Sequence, residues 1–544
     1  MAVAQENKLC HKSTEGTEFW FGFMENRIFR EEFHTVLVTV SARQSTNFKI
    51  TVGPPDSPLY SREFSVSADS TRTVEIPWRI AETFGSETVS KTGIHLTSDG
   101  PVSVYATNWD PNSTDNSVIY PVENLGNEYL AMCYDPYVDP ENPLSGNGRN
   151  SQFLIVATED NTTVYIKPSK ITDGLSPKDS LIQRVLNRGE VFQVQSENDL
   201  GTGLTGQGDL TGSYISSDKP VAFFSGSLST TVPRGFRGWD HLYEQIPPVQ
   251  SWGREYLTIP LKTRIADRFR VLAARNNTTV QVSGENMIYL NAGEFYEFMA
   301  SETKHILSDK PLLVAQFSQS RDVDFTETGG DGDPFMIVLN PAERLIKTAI
   351  FQTYGTPNNF TDSIYFGIQQ NYLNILTPTS EVANITLNGQ NLSSEFKPHN
   401  ENSWSFAQIN ISKGTHILEN ITGEIGFMAF IYGFGGYESY GFNAGYNFDL
   451  QLELGENIEF FKRDTLLLCR GDELILDAGP QFDYYNWSTL STAQTITVNE
   501  EGLYWVEAGT NDGCILRDTV FVYESKPVAD LGERFNEICY PQKV

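Results

Sequence analysis

The residues whose types could do chemistry are seven histidines, one glycine-rich acidic loop and five cysteines. Zinc held by histidine needs paired spacing such as H-E-x-x-H, and His11, His34, His95, His241, His305, His399 and His416 show none. The loop GGDGDPF, Gly329 to Phe335, sets Asp331 beside Asp333, and hard carboxylate oxygens are what calcium takes. Its spacing is not that of an EF-hand, and the simpler reading is a plain turn. Gly201-x-Gly203-x-x-Gly206 has the letters of a dinucleotide fingerprint without the strand-to-helix unit that gives them meaning. It reads as a flexible loop. Arg470-Gly471-Asp472 spells an integrin-binding tripeptide, but it follows Cys469 directly and leads into a strand. Neither a G-x-S-x-G elbow nor a P-loop occurs. Acidic residues are so abundant that a glycosidase-like pair is never excluded, yet none stands out. Apart from calcium, these residues imply no cofactor, and no catalytic residue is assigned.

The cysteines, Cys10, Cys133, Cys469, Cys514 and Cys539, form no C-x-x-C pair, which fits an exported protein with one or two disulfides. With 39 basic and 69 acidic residues the net charge is −30, which repels nucleic acid and anionic lipid. No apolar run is long enough to span a bilayer, so membrane insertion is not expected. MAVAQEN reads as an initiator Met before an A-x-A cleavage site, making residues 1–15 a leader remnant. N-x-[ST] sequons, among them Asn161, Asn277 and Asn359, mark glycan sites in a eukaryotic secreted protein and turn-rich β sequence in a bacterium.

What must position such residues is a repeated β frame. Thirty-four Phe, 24 Tyr and 43 Gly favour strands and turns, and the class is all-β. GTEFW at Gly16, GNEYL at Gly126 and GREYL at Gly253 share one form. YPVENL, PPVQSW and LNPAERL are matching lead-ins, and hairpin phrases such as FLIVATEDNTTVYIK and FRVLAARNNTTVQVS follow. The phrase SDGPVSVYATN at Ser98 recurs as SDKPVAFFSGS at Ser217 and SDKPLLVAQFSQS at Ser308. It reads as a turn followed by a buried strand, closing each unit. Strands carrying His95, His305 and His416 precede the close, which points to packing rather than catalysis.

These phrases predict four units, 16–118, 119–245, 246–338 and 339–452, in a large head of repeated β-sandwich-like units. A propeller-like closed ring is the alternative. The aromatic-glycine run from Ile431 to Phe448 reads either as an exposed sticky surface or as a closing strand pair. Cys469, Trp487 and Cys514 stand in the order of an immunoglobulin-like sandwich, in which a Cys469–Cys514 disulfide and a buried Trp pin two sheets. That module is expected over 453–526, and 527–544 echoes its start as a second, truncated one, leaving Cys539 without its partner.

GTEFWFGF, IPPVQSWGREYL, SDKPVAFFSGS, GDPFMIVLNPAERL and YESYGFNAG together resemble the IgGFc-binding protein N-terminal domain over roughly Gly16 to Leu450. The tail from Leu454 resembles the Ig-like or PKD-like repeats of secreted Bacteroidetes proteins, which often end in a sorting domain for type IX secretion or gliding motility. The resemblance implies a secreted or cell-surface location and binding or adhesion rather than catalysis. GDPF departs from the GDPH autocleavage motif, so no self-cleavage is expected at Asp333-Pro334. The expectation is a non-catalytic adhesin fragment with a glycan or extracellular protein as partner, beside other domains of the same longer chain. A structural spacer in a surface filament and an accessory region of a carbohydrate-active enzyme are the alternatives.

Overall fold

The computed structural model describes residues 12–28, 31–137, 149–197, 208–328, 331–355, 367–401, 403–422, 425–449, 452, 454, 465–469, 471–479, 482–511 and 513–525. Cys10, Cys539, the Gly201–Gly206 loop, the Asn359 sequon, Arg470 and the expected second module at 527–544 lie outside them. The chain forms two compact units, one of residues 13–447 and one of residues 448–544 together with 1–12.

In the larger unit a single device recurs. Ile94–Asp110 and Tyr214–Thr230 are strands of 17 residues, and His305–Phe317 has 13. At ~3.3 Å per residue the longer two run to about 56 Å, more than one small sheet uses. Each spends its first half in one ladder and its second half in another. Tyr214 to Ser217 pair with the strand Thr162–Lys167, whereas Val221 to Ser227 pair with Ser151–Ala157. The switch falls on Asp218-Lys219-Pro220, where neither of these ladders has a rung. Proline is tolerated there because no rung needs its missing N–H. The phrase expected to be a turn is therefore a bend inside one continuous strand, because the hydrogen bonds resume with the second sheet.

Every residue of the bend has a partner. Ser217 Oγ donates to the Lys219 carbonyl (2.6 Å), and Ser308 Oγ to that of Lys310 (2.7 Å). Asp218 Oδ1 accepts from the Thr163 amide and Asp309 Oδ1 from the Thr279 amide, both at 2.7 Å. Lys219 Nζ donates to the Asp160 carbonyl (2.5 Å) and Lys310 Nζ to that of Asn276 (2.8 Å). The bend thus clamps the DNTT or NNTT turn of its own hairpin, where Asn161 and Asn277 take positive φ. In the fourth module the bend is absent and two strands, Gly414–Asn420 and Met428–Gly436, replace the long one.

Three sheets of seven, eight and seven strands, then a four- and a five-stranded pair, make the four modules. They are β-sandwich-like, and they also close on one another. A β-carbon on Gly16 would stand 2.4 Å from Pro121, one on Gly126 2.5 Å from Pro248, and one on Gly253 2.2 Å from Pro341. The glycine opening each of these modules therefore lets the lead-in proline of the next one close in. Arg270, buried in the third module, reaches Asp209 (2.7 Å) and the Cys133 carbonyl (2.7 Å) in the second. The fourth module returns to the first: Tyr105 OH donates to the Ala444 carbonyl (2.9 Å), and Gly445 abuts Thr14, whose Oγ1 a β-carbon there would approach to 2.7 Å. The apolar core runs through these junctions, with Phe223, Leu313, Phe317 and Val338 in one cluster.

The smaller unit has a sheet of four strands, with Thr465–Cys469 parallel to Ile515–Ser525, and a two-stranded sheet of Leu474–Asp477 and Thr495–Val498. Trp487 is fully buried among Leu476, Val498, Val506 and Val520, and its indole N–H donates to the Ala493 carbonyl (2.8 Å). Cys469 and Cys514 are both disulfide-bonded.

Asp218→Ala should cost about 1 kcal/mol, a typical net hydrogen-bond value, read as earlier thermal unfolding with faster hydrogen exchange at the Thr163 amide. Gly253→Ala, which must displace Pro341, should cost about 1–3 kcal/mol. A melt unchanged from wild type would show that the Gly–Pro seam yields freely.

Candidate binding surface at the hairpin tips

Each long strand, or its equivalent Met428–Gly436, turns through a hairpin tip into a short closing strand: Ser113–Ile119, Asp240–Gln245, Met336–Val338 and Glu438–Asn443. All four closing strands are wholly buried, and among the described residues each pairs in its ladder only with the strand before it. Their other edges face one another across the centre of the unit. Side chains supply the missing acceptors. Asp115 Oδ2 accepts from the Tyr243 amide (3.0 Å) and the Met336 amide (3.3 Å). Glu244 accepts from the Val338 amide (3.3 Å) and Ser117 Oγ (2.8 Å), and Ser117 Oγ accepts from the Gln245 amide (2.7 Å). Burial holds Asp115 and Glu244 well above the ordinary carboxylate range. Their first role is to pair backbone that would otherwise be bare.

The tips above this centre differ. The first and fourth are tight turns. The second runs from Thr231 to Trp239 and the third from Ser318 to Phe335, including the helix Arg321–Thr328. These two long tips are joined: the Ser320 amide donates to the Val232 carbonyl (2.7 Å), and the Val232 amide to Ser320 Oγ (2.9 Å). Gly238, at φ +87°, lies so close that a β-carbon would be 2.5 Å from Asp333 Oδ1 and 2.7 Å from Arg321 Cβ. Arg321 reaches on over the ring of Tyr437 in the fourth tip (4.4 Å). Beside the second tip Trp239 stands against Tyr137 (4.9 Å), with the Arg149 guanidinium over both rings and Arg27 over Trp239. Phe236 is 42% exposed and Tyr437 41%, and Arg237 is exposed with them.

Below the first tip, His34 bridges Glu82 (2.5 Å) and Asp110 (3.2 Å), all three without exposed side chain. Burial opposes its charge, but the hydrogen bonds from Asp110 and Glu82 prevail and raise it to about 9. With no access to solvent, this is an internal ion bridge.

The other singled-out residues find structural places. His95 stacks on Trp20 (4.2 Å) and pairs with Glu18 (2.9 Å), and His305 pairs with Glu255 (2.9 Å), so the recurrent histidine serves the Gly-x-Glu strand. His416 meets the Ser412 carbonyl (2.8 Å). Tyr432, Phe434, Tyr440, Phe442 and Tyr446 are buried, so the aromatic-glycine run is a closing strand pair. The Asp331 carbonyl accepts from Arg264 (2.8 Å). Asp333 is buried, and burial raises it to about 8 against the pull of Arg321 and Arg264. Among the described residues no group of three or more His, Cys, Asp or Glu is placed to hold a metal ion. No described helix is long and apolar enough to cross a membrane.

The tip residues Phe236, Arg237 and Trp239 were not singled out in the sequence. Their signal was available: VPRGFRGW is where the repeated phrases stop agreeing.

A fixed β frame carrying unlike loops at one end defines a repeat-built β head. This chain belongs to the IgGFc-binding family: a family model described as "IgGFc binding protein" matches residues 115–433. It is 24% identical over 316 residues to the human IgGFc-binding protein, covering 54% of this chain and 5% of that protein. The chain thus spans a small part of that relative. Among solved structures, activated alpha-2-macroglobulin from Escherichia coli is 10% identical, with 94% of this chain and 49% of that one covered and a TM-score of 0.16. The eight N-terminal Ig domains of Down syndrome cell adhesion molecule are 8% identical, with 94% and 73% covered and a TM-score of 0.11. Scores this low carry no structural argument.

Proposed function

We propose that residues 13–447 form the binding head of an extracellular protein, recognising its ligand through the second and third hairpin tips without turning it over. One observation carries this reading. The first three modules agree in bend and opening glycine and all four in closing strand, and they diverge where tips 231–239 and 318–335 meet and expose Phe236 and Arg237 beside Tyr437 of the fourth tip. Variable loops on a rigid frame are where recognition is usually found. The human relative's name makes immunoglobulin Fc the first protein ligand to try, and a glycan on mucin or a cell surface the other. The smaller unit fits a stalk module of Ig-like type closed by a Cys469–Cys514 bond, in an adhesin secreted or held at the cell surface.

The test uses the full chain against immobilised IgG Fc, mucin and a glycan array. Binding to one of them, weakened about tenfold or more by Phe236→Ala or Arg237→Ala with an unchanged melt, is the expected result, since ~1.4 kcal/mol is typical of an interface anchor. Binding that survives both substitutions would move the site elsewhere. No binding at all would favour the spacer reading, and turnover of a bound polysaccharide the enzyme-accessory one.

A further inference from the structure

Three acids stand where the tips meet the closing strands. Asp240 opens the second closing strand, Asp333 precedes the third and Glu438 opens the fourth; their exposures are 0%, 2% and 1%. Each keeps one buried oxygen without a hydrogen-bond partner: Asp240 Oδ2, Asp333 Oδ1 and Glu438 Oε2. Thr114 ties two of them together, its amide donating to Asp240 Oδ1 and its hydroxyl to Glu438 Oε1, both at 2.7 Å. The third lies under Gly238 of the second tip.

An ionised carboxylate buried with a bare oxygen is strongly destabilising unless a cation or a proton compensates it. The facing charges do not supply enough. Asp240 is faced by Asp115, Asp333 and Glu438, all acids, and by His241, whose buried ring is held near pH 3 and so is neutral. Glu438 takes hydrogen bonds from the Thr114 and Trp109 side chains, which oppose its rise, and is faced by Asp110, itself bridged to His34. Asp333 is faced by Arg321 and Arg264 but also by Asp322 and Glu438. Arg264 is shared with Asp324 and the Asp331 carbonyl, and Arg321 with Asp322. No metal-holding group of acids is present among the described residues. Protons remain.

We propose that Asp240, Asp333 and Glu438 form a proton-held clamp, which joins the second, third and fourth tips while the acids keep their protons and loosens the tips as they ionise. Burial raises Asp333 to about 8 and Glu438 to about 7, and lifts Asp240 well above its ordinary value, with the charge of Asp333 adding. Folded values above the unfolded ones fix the sign. The stabilisation is complete below about pH 4, where the unfolded acids are also protonated, and is lost as pH rises through 7 and 8. Loss of ligand at high pH rests on the binding face proposed above; the clamp itself does not.

The full chain, Asp333→Asn and Glu438→Gln are melted from about pH 6 to about pH 9 at fixed salt. In wild type the unfolding constant should rise with pH, by up to about tenfold per pH unit for each acid ionising. Each substitution should make that rise shallower, and each variant should outlast wild type at about pH 9. The other acids of a chain whose formal net charge is −30 contribute a slope common to all three proteins, so parallel profiles would overturn the proposal. Infrared spectra of wild type decide the matter if a variant does not fold. A protonated-carboxyl band at about pH 6 that fades by about pH 9 and is weaker in whichever variant folds supports the clamp, since Asp115, Glu244 and Asp267 are also raised and contribute equally to both proteins; absence of the band from wild type at about pH 6 overturns it. These readings stand whether or not any ligand binds.

Discussion

Backbone amides that face one another across a buried centre must find acceptors. Four closing strands meet there, each laddered on one side only among the described residues, with every residue in them buried. Sheets usually blunt a bare edge with charge, a bulge or solvent. Here carboxylates take the place of a neighbouring strand, Asp115 bonding amides of the second and third closing strands together. The rest follows from that arrangement. Four modules have to be brought to one point, so in the first three the long strand crosses from one ladder to another at its Ser-Asp-x-Pro bend, and in the fourth two separate strands take its place. Neighbouring modules must also stand close, and an opening glycine against a lead-in proline lets them.

Much of this was written in local sequence. The bend, its hairpin and the Gly-x-Glu strand recur as phrases, because each is stabilised by contacts made within one module or with the next. Their meaning was less clear than their presence. Ser-Asp-Lys-Pro has the letters of a turn, and only the register shows that the strand continues. The centre was illegible for a different reason. Ser113–Ile119 reads STDNSVI, an exposed-looking string, yet every residue in it is buried. Its side-chain partners outside its own hairpin lie 87 to 324 positions away in the chain, as with Ser113 and Asn26 or Thr114 and Glu438. His34, Glu82 and Asp110 are likewise brought together from 76 residues of chain, with no spacing to announce them. Sandwich and closed ring were weighed as alternatives, whereas each module is sandwich-like and the modules also close.

The stretch shared with the IgGFc-binding family begins at Asp115 and runs to Gly433, from the first closing strand into the last long strand pair. Its first residue is one of the acids that fill the centre. The frame and the tips are separable in kind: the buried acids and the bends answer to backbone geometry, while tips 231–239 and 318–335 answer to it at their ends. A change of tip length need not disturb the centre, provided Gly238 still passes between Asp333 and Arg321.

The contact between Gly445 and Thr14 has a mechanical meaning. It brings the first and last residues of the head side by side. Tension entering through one end of the head and leaving through the other would meet at this one junction, loading the contacts there before it reached the four modules.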